Sequence, residues 1–235
     1  MAAHISMSGA TEAVAPPDAC PSDAGHARRM DAIYGVQRHI YDLTRKHYLL
    51  GRDRLIARLA VPEGGQVLEI GCGTARNIAL AARRYPTAHF HGLDISAEML
   101  KSAERKLRKQ GLAGRCSLAL ADATDFDPQV LFGRAEFDRI FCSYTLSMIP
   151  GWGKALALCC GLLAPGGELH LVDFGRQEGL PRWFAAGLRA WLARFHVTPR
   201  ADLFDVCAAL ARQHGLTLET ERLHRDYARR AVLRR

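Results

Sequence analysis

Residues 67–77 run VLEIGCGTARN, and the rest of the chain orders itself around them. Val67–Ile70 form a short apolar strand run, Gly71-Cys72-Gly73 a turn, and Thr74 onward the start of a helix. Glycines at such a strand-to-helix turn let backbone N–H groups come close to a ligand, beside the positive end of a helix. A lone G-x-G suits NAD, FAD, a phosphate or no ligand at all. Two neighbours narrow it. Arg76 stands where the dinucleotide fingerprint carries its third glycine. Glu69, two positions before Gly71, would repel a pyrophosphate and suits a cation.

Downstream the pattern alternates. Residues 74–85 read as a helix, 88–95 as a second strand, and 96–111 as a helix with Ser96 as N-cap and Gly111 past its end. A third strand covers 116–123, a fourth 137–146, a helix 152–163 and a fifth strand 166–175. Strand and helix in strict alternation, with apolar strands, predict a parallel sheet covered on both faces. An amphipathic helix follows over 181–197, and residues 216–235 read as two more strands or a hairpin. Asp94 ends the second strand, 23 residues after Gly71, where an acid takes both ribose hydroxyls. Asp122 ends the third, placed to accept from an adenine amine. Residues 162–174, LLAPGGELHLVDF, add a reverse turn feeding the fifth strand. These features ask for a ligand with adenine, ribose and a positive, non-phosphate linker.

Four pieces in order, EIGCGTARN, GLDIS, ADAT and LAPGG, make residues 66–174 resemble the class I S-adenosylmethionine-dependent methyltransferases. The resemblance implies an α/β, Rossmann-like fold with a seven-stranded, mostly parallel sheet whose last strand runs antiparallel. It implies S-adenosylmethionine as cofactor and S-adenosylhomocysteine as product. By the same resemblance Gly71, Cys72 and Gly73 hold the methionine end with Glu69 beside them. Asp94 binds the ribose, Ile95 lies against the adenine, and Asp122 and Ala123 contact it. Cys142, Ser143 and Tyr144 line the floor near the methyl group. Against this stands the plainer possibility that Glu69 and Asp94 only cap strand ends.

The flanks bear on the acceptor. CSYTLSMIP, residues 142–150, lacks the Asn/Asp-Pro-Pro-aromatic element of many methyltransferases that act on adenine or glutamine amines. Over 182–195, Trp183, Phe184, Leu188, Trp191, Leu192 and Phe195 lie on or near one helix face, with Arg182, Arg189 and Arg194 at its rim. That pattern fits a helix in a membrane interface and equally a helix covering the sheet. Residues 34–56, with VDFG, EGLPRWF and FHVTPR, resemble the bacterial N-methyltransferase of betaine-lipid synthesis. That family converts diacylglyceryl-homoserine to its trimethylated form. Asp173, Tyr41 and Tyr144 are then candidates to accept or relay the amine proton. Tyr34, Tyr41, Tyr48, Tyr144 and Trp152 are candidate aromatic faces for the product cation. Arg45 and then Arg52 are candidates to pair the homoserine carboxylate. The expected partners are an amine-bearing diacylglycerol lipid, an anionic membrane surface and the enzyme that makes diacylglyceryl-homoserine. A phosphatidylethanolamine N-methyltransferase, an RNA methyltransferase and a non-catalytic cofactor-binding scaffold are the rivals. No RNA-binding module or base-clamping motif accompanies the basic arms, so nucleic acid is not expected.

Length and composition agree with this scheme. The chain has 235 residues, 49% hydrophobic and 24% charged, which suits one domain plus arms. Residues 1–27 read as a disordered tail, 28–60 as a helical substrate or membrane cap broken near Gly51, and 61–235 as the main domain. No run approaches the roughly 18 apolar residues of a membrane span, and no secretory signal is expected. The seven cysteines show no C-x-x-C spacing and suit a reducing compartment; His89 and His91 without a third ligand make a poor metal site, and none is expected. A net charge of +8 suits an anionic partner or simple solubility. Its surplus gathers in residues 28–58 and 222–235. The location expected is cytoplasmic, peripheral on the inner membrane.

Overall fold

A computed structural model describes residues 49–195 and 197–235. Its elements in chain order are α1 (Arg52–Ala57), β1 (Gln66–Ile70), α2 (Arg76–Arg84), β2 (His89–Asp94), α3 (Ala97–Lys109), β3 (Cys116–Leu120) and α4 (Pro128–Phe132). They continue with β4 (Phe137–Ser143), α5 (Trp152–Gly161), β5 (Leu163–Phe174), α6 (Arg182–Ala193), α7 (Leu203–His214), β6 (Thr217–Leu223) and β7 (Ala228–Arg234). The strands form one sheet in the order β3-β2-β1-β4-β5-β7-β6. β1 pairs in parallel with β2 on one side and β4 on the other, while β7 runs antiparallel between β5 and β6. The winding therefore reverses at β1, and in open α/β sheets ligands bind at the strand carboxyl ends by such a reversal.

Alternation along the strands sorts the core into two layers. Val67, Phe141, Val172 and Phe174 pack with α1, α2 and α3 on one face. Leu68, Ile70, Ile140, Leu169 and Leu171 pack with α5 and α7 on the other. Local chemistry starts the helices where expected. The Ser96 hydroxyl accepts from Met99 N at 3.3 Å, and Lys106, Arg108 and Lys109 occupy the last turn of α3. Asp127 caps α4 through Gln129 N at 2.8 Å, with Pro128 in its first turn.

Segment 49–60 is tied down from three sides. The Tyr144 hydroxyl donates to Leu50 O at 2.6 Å, the Tyr85 hydroxyl to Ile56 O at 3.0 Å, and Arg139 Nε to Leu59 O at 2.6 Å. Of the expected helical cap over 28–60, only this part is described; residues 28–48 and the expected tail over 1–27 lie outside the described residues.

Three sequence expectations need correction. β3 stops at Leu120, so Asp122 lies two residues beyond the strand, where its Oδ1 accepts from Thr124 N at 2.7 Å and Thr124 Oγ1 at 2.8 Å. β5 starts at Leu163 rather than Gly166, because Leu163 already pairs with Phe137 of β4, and the register shifts before pairing resumes at Glu168. Helix α7, to which the sequence reading assigned no element, buries Leu203, Cys207, Leu210 and Ala211 at i, i+4, i+7 and i+8 and stops at Gly215, φ +66°.

Arg229, Arg230 and Arg234 are not an open basic patch. Arg229 is buried and grips Asp226 with two bonds of 2.8 and 3.0 Å, its guanidinium over the Phe204 ring. Arg230 reaches Glu219 at 2.7 Å and Glu221 at 3.3 Å, and Arg234 reaches Glu168 at 3.0 Å and Glu219 at 2.8 Å. Glu221 also takes Arg54 of α1 at 2.9 Å. Removing one member of a buried pair leaves the other charge unsatisfied. Arg229→Ala is expected to cost about 3–5 kcal/mol in urea unfolding, and Arg229→Met with Asp226→Asn to recover most of it.

Candidate functional site

The turn after β1 is built from three residues in the left-handed region: Gly71 at φ +66°, Gly73 at +53° and Ala75 at +55°. The two glycines serve different needs. A Cβ on Gly71 would lie 2.1 Å from Thr145 Cγ2, so the turn packs directly on the chain leaving β4. A Cβ on Gly73 would meet nothing within 4 Å, which leaves bare backbone facing open space. Two of the turn's backbone amides are not free donors, contrary to what the glycine pattern alone suggests. Cys72 N donates to Leu93 O at 2.9 Å, and Gly73 N donates to Asp94 Oδ2 at 2.8 Å.

Asp94, at the carboxyl end of β2, is therefore the hinge of the site. Its other oxygen, Oδ1, accepts from Ser96 N at 2.9 Å. Two backbone amides on separate loops hold this carboxylate in place. Ile95 follows it, half-buried. Asp122, held in its own turn through Oδ1, keeps Oδ2 for another donor. Ala123 beside it is buried in the layer below the sheet.

Glu69 is buried behind the turn. Its Oε1 accepts from Asn77 Nδ2 at 2.7 Å, while Oε2 and Asn77 Oδ1 are enclosed without hydrogen-bond partners. Burial pushes the Glu69 carboxyl up to about 8, opposed by the Asn77 bond and the positive charge of Arg52, and helped by Asp94. Asn77 belongs to the same quoted stretch, eight residues on, yet nothing in its spacing singled it out. Arg52 is buried in the first turn of α1, where its charge also acts on Tyr144. It is a counter-charge inside the fold.

The remaining expected residues divide between the two layers. Ser143, at the end of β4, has a buried hydroxyl with no partner. The Cys142 thiol meets Cys159 of α5 in the second layer. The Tyr144 ring packs edge-on to Phe174 at 4.6 Å in the first layer; its hydroxyl is bonded to Leu50, and burial raises its pKa well above the usual tyrosine range. Asp173 lies fully buried, accepting from Phe174 N at 2.8 Å and Ser147 N at 3.1 Å, and burial raises it to about 6. Trp152 is in the second layer, with the Arg200 guanidinium 5.7 Å from its ring centre. Tyr144 and Asp173 thus do not converge on one atom: one braces segment 49–60, the other the turn after β4. Tyr34, Tyr41, Arg45 and Tyr48 lie outside the described residues.

The turn after β4 has a second clamp that the sequence reading missed. Arg200 Nε donates to Leu146 O at 3.0 Å and Nη2 to Ile149 O at 2.8 Å, and Thr198 N donates to Ser147 O at 2.9 Å. Among the described residues no three His, Cys, Asp or Glu side chains are placed to hold a metal ion. None of their helices is long and apolar enough to cross a membrane.

Residues 67–167 match the family model described as a methyltransferase domain. These residues are a methyltransferase domain. The fold around it is that of the class I S-adenosylmethionine-dependent methyltransferases. Trans-aconitate 2-methyltransferase of Methylobacterium radiotolerans is 37% identical over 115 residues, 49% of this chain and 40% of the relative. Phosphatidylethanolamine N-methyltransferase of Cereibacter sphaeroides is 31% identical over 136 residues, 57% of this chain and 62% of the relative. A solved phosphoethanolamine N-methyltransferase 2 of Haemonchus contortus, holding phosphomonomethylethanolamine and S-adenosylhomocysteine, superposes with a TM-score of 0.60 over 78% of this chain and 51% of its own. At 18% identity that likeness is one of fold. The chain spans less than two thirds of the length of these relatives, and their acceptors differ.

Between about pH 4.5 and 8 the folded chain keeps a proton on Glu69 that the unfolded chain releases, so this group's contribution makes stability fall as pH rises through that window. Asp173 adds a smaller fall between 3.8 and about 6. Glu69→Gln is expected to remove the first slope. In thermal unfolding its Tm should match wild type near pH 4.5 and exceed it near pH 8, by on the order of 5 °C.

Proposed function

We propose that the chain is an S-adenosylmethionine-dependent N-methyltransferase that methylates the amine of diacylglyceryl-homoserine to give the betaine lipid diacylglyceryl-trimethylhomoserine. The observation that carries the cofactor half is the Asp94 carboxylate, anchored by two backbone amides beside the unobstructed face of Gly73, with the half-satisfied Glu69 behind them. Glu69 keeps its proton in the ligand-free fold; a cation beside it would favour its charged form and oppose the rise that burial causes, which fits a sulfonium amino acid and disfavours a pyrophosphate. In this reading Asp94 receives the ribose hydroxyls, Ile95 meets the adenine ring, and the second oxygen of Asp122 takes the adenine amine. The bare backbone at Gly73 leaves room for the methionine end.

When bound, the cofactor supplies a methyl group already activated on sulfur. The work left to the protein is alignment of the amine with that methyl. The amine reacts only when neutral. A proton leaves at each of the first two methylations, and the starting ammonium must also lose one. We assign the unpartnered Ser143 hydroxyl to orient the amine. Asp173, raised to about 6 by burial, holds the adjoining turn through Ser147 and has a proton affinity near the range needed for a relay.

The acceptor half is supported by the sequence likeness to the betaine-lipid enzyme and by the amine-lipid relative from Cereibacter sphaeroides. That relative favours one second reading, phosphatidylethanolamine as acceptor. The test supplies purified full-length protein with labelled S-adenosylmethionine and each lipid in mixed micelles. Mono-, di- and trimethylated homoserine lipid is the expected product. Methylated phosphatidylethanolamine alone moves the conclusion to the second reading, and cofactor binding with no methylated lipid of either kind overturns both. Asp94→Ala should weaken cofactor binding in calorimetry by about 10- to 100-fold, the loss of one or two hydrogen bonds to a charged acceptor. Undiminished binding would overturn its role.

A further inference from the structure

Helix α6 is held to the protein by a narrow stripe. Ala185 and Leu192 are buried and Leu188 half-buried, at i, i+3 and i+7. At 100° per residue this turns Trp183, Gly187, Ala190 and Arg194 away from the core, with Phe184 and Trp191 along one shoulder and Arg182 and Arg189 along the other. The exposures agree: Trp183 is 77% accessible, Phe184 41% and Trp191 36%. Three of the five large apolar side chains exposed by the described residues therefore sit on this one helix. The sequence contains no acidic residue between Glu178 and Asp202. Among the described residues Arg182, Arg189 and Arg194 have no ion-pair partner, unlike Arg229, Arg230 and Arg234.

We propose that α6 is an interfacial helix that docks the protein on an anionic lipid bilayer, with Trp183, Phe184 and Trp191 inserted at the headgroup boundary and the three arginines at the level of the phosphates. Aromatic rings with an apolar body and a polar edge, rimmed by unpaired guanidinium groups, match the chemistry of that boundary. An apolar protein partner would leave the arginines without counter-charges, and burial in this chain's own core would leave them desolvated. The position serves the lipid acceptor reading, on which the purpose of the docking rests. Just beyond α6, Phe195 packs with Met99 and Met148. Met99 lies in the first turn of α3, five residues past Asp94, and Met148 in the clamped turn after β4. A bilayer under α6 thus adjoins the mouth of the site.

The test uses full-length protein and vesicles that contain no amine acceptor: phosphatidylcholine mixed with phosphatidylglycerol, against phosphatidylcholine alone. No methyl transfer is read, so failure here is separate from failure of the acceptor assignment. Binding is expected to be at least about tenfold tighter on the mixed vesicles, from three arginines near the surface, and to weaken with salt. The protein has three tryptophans, of which Trp152 is buried. Wild-type emission should therefore shift to the blue on the mixed vesicles and be quenched by lipids brominated near the headgroup. Trp183→Ser with Trp191→Ser should lower vesicle affinity at least about tenfold, with cofactor binding in calorimetry unchanged as the check on folding. Absence of vesicle binding by wild type, or equal binding by the double variant, overturns the proposal. So does a wild-type dimer that the double variant converts to monomer, since a second copy would then cover this face.

Discussion

Asp94 binds the site together. It accepts from Gly73 on the turn after β1 and from Ser96 at the cap of α3, so one carboxylate couples two loops that the parallel pairing of β1 with β2 brings side by side. Remove the pairing and the two amides no longer converge. Remove the carboxylate and both loops lose the contact that sets their spacing. Thr145 closes the third side by packing on Gly71, which links the end of β4 to the same turn. The position of the site is thus a consequence of strand order, and its shape a consequence of small residues at φ angles that larger ones avoid.

Much of this was legible in the sequence. The five parallel strands, the capped α3 and the terminal hairpin follow from apolar periodicity and from Ser96 and Gly111, which act through nearest neighbours. The acidic residues at strand ends were legible too, because strand length alone sets where they fall. What stayed hidden depends on contacts between distant segments. No spacing announces that Tyr144 reaches Leu50, that Arg200 closes on Leu146 and Ile149, or that Cys142 turns toward α5. Asp122 appeared to be a strand residue because the apolar run of β3 continues through Ala121. Its own carboxylate forms the turn that ends the strand.

The distribution of charge shows why a count of basic residues is a poor guide to partners. The arginine-rich C-terminal stretch looked like an arm for an anionic surface. In the fold it forms a ladder across β5, β7 and β6 with Glu168, Glu219 and Glu221, reaching α1 through Arg54. Alternation decides which arginine goes where: Arg230 and Arg234 share one sheet face, and Arg229 on the other meets Asp226 and Phe204. Arg182 and Arg189 of α6, and Arg194 at its C-cap, have no such partner among the described residues.

The placement of β7 inside the sheet has a consequence for assembly. Among the described strands β6 pairs only with β7, so β5 meets the two as one antiparallel ribbon. Until that ribbon arrives, β5 presents a long apolar strand edge, the kind of surface on which unfinished chains associate. Register is then chosen once, because a slip by one position would exchange the two faces of β7 and part Arg230 and Arg234 from their glutamates. Arginines otherwise read as surface ornament thus act as alignment marks for the join between β5 and the ribbon.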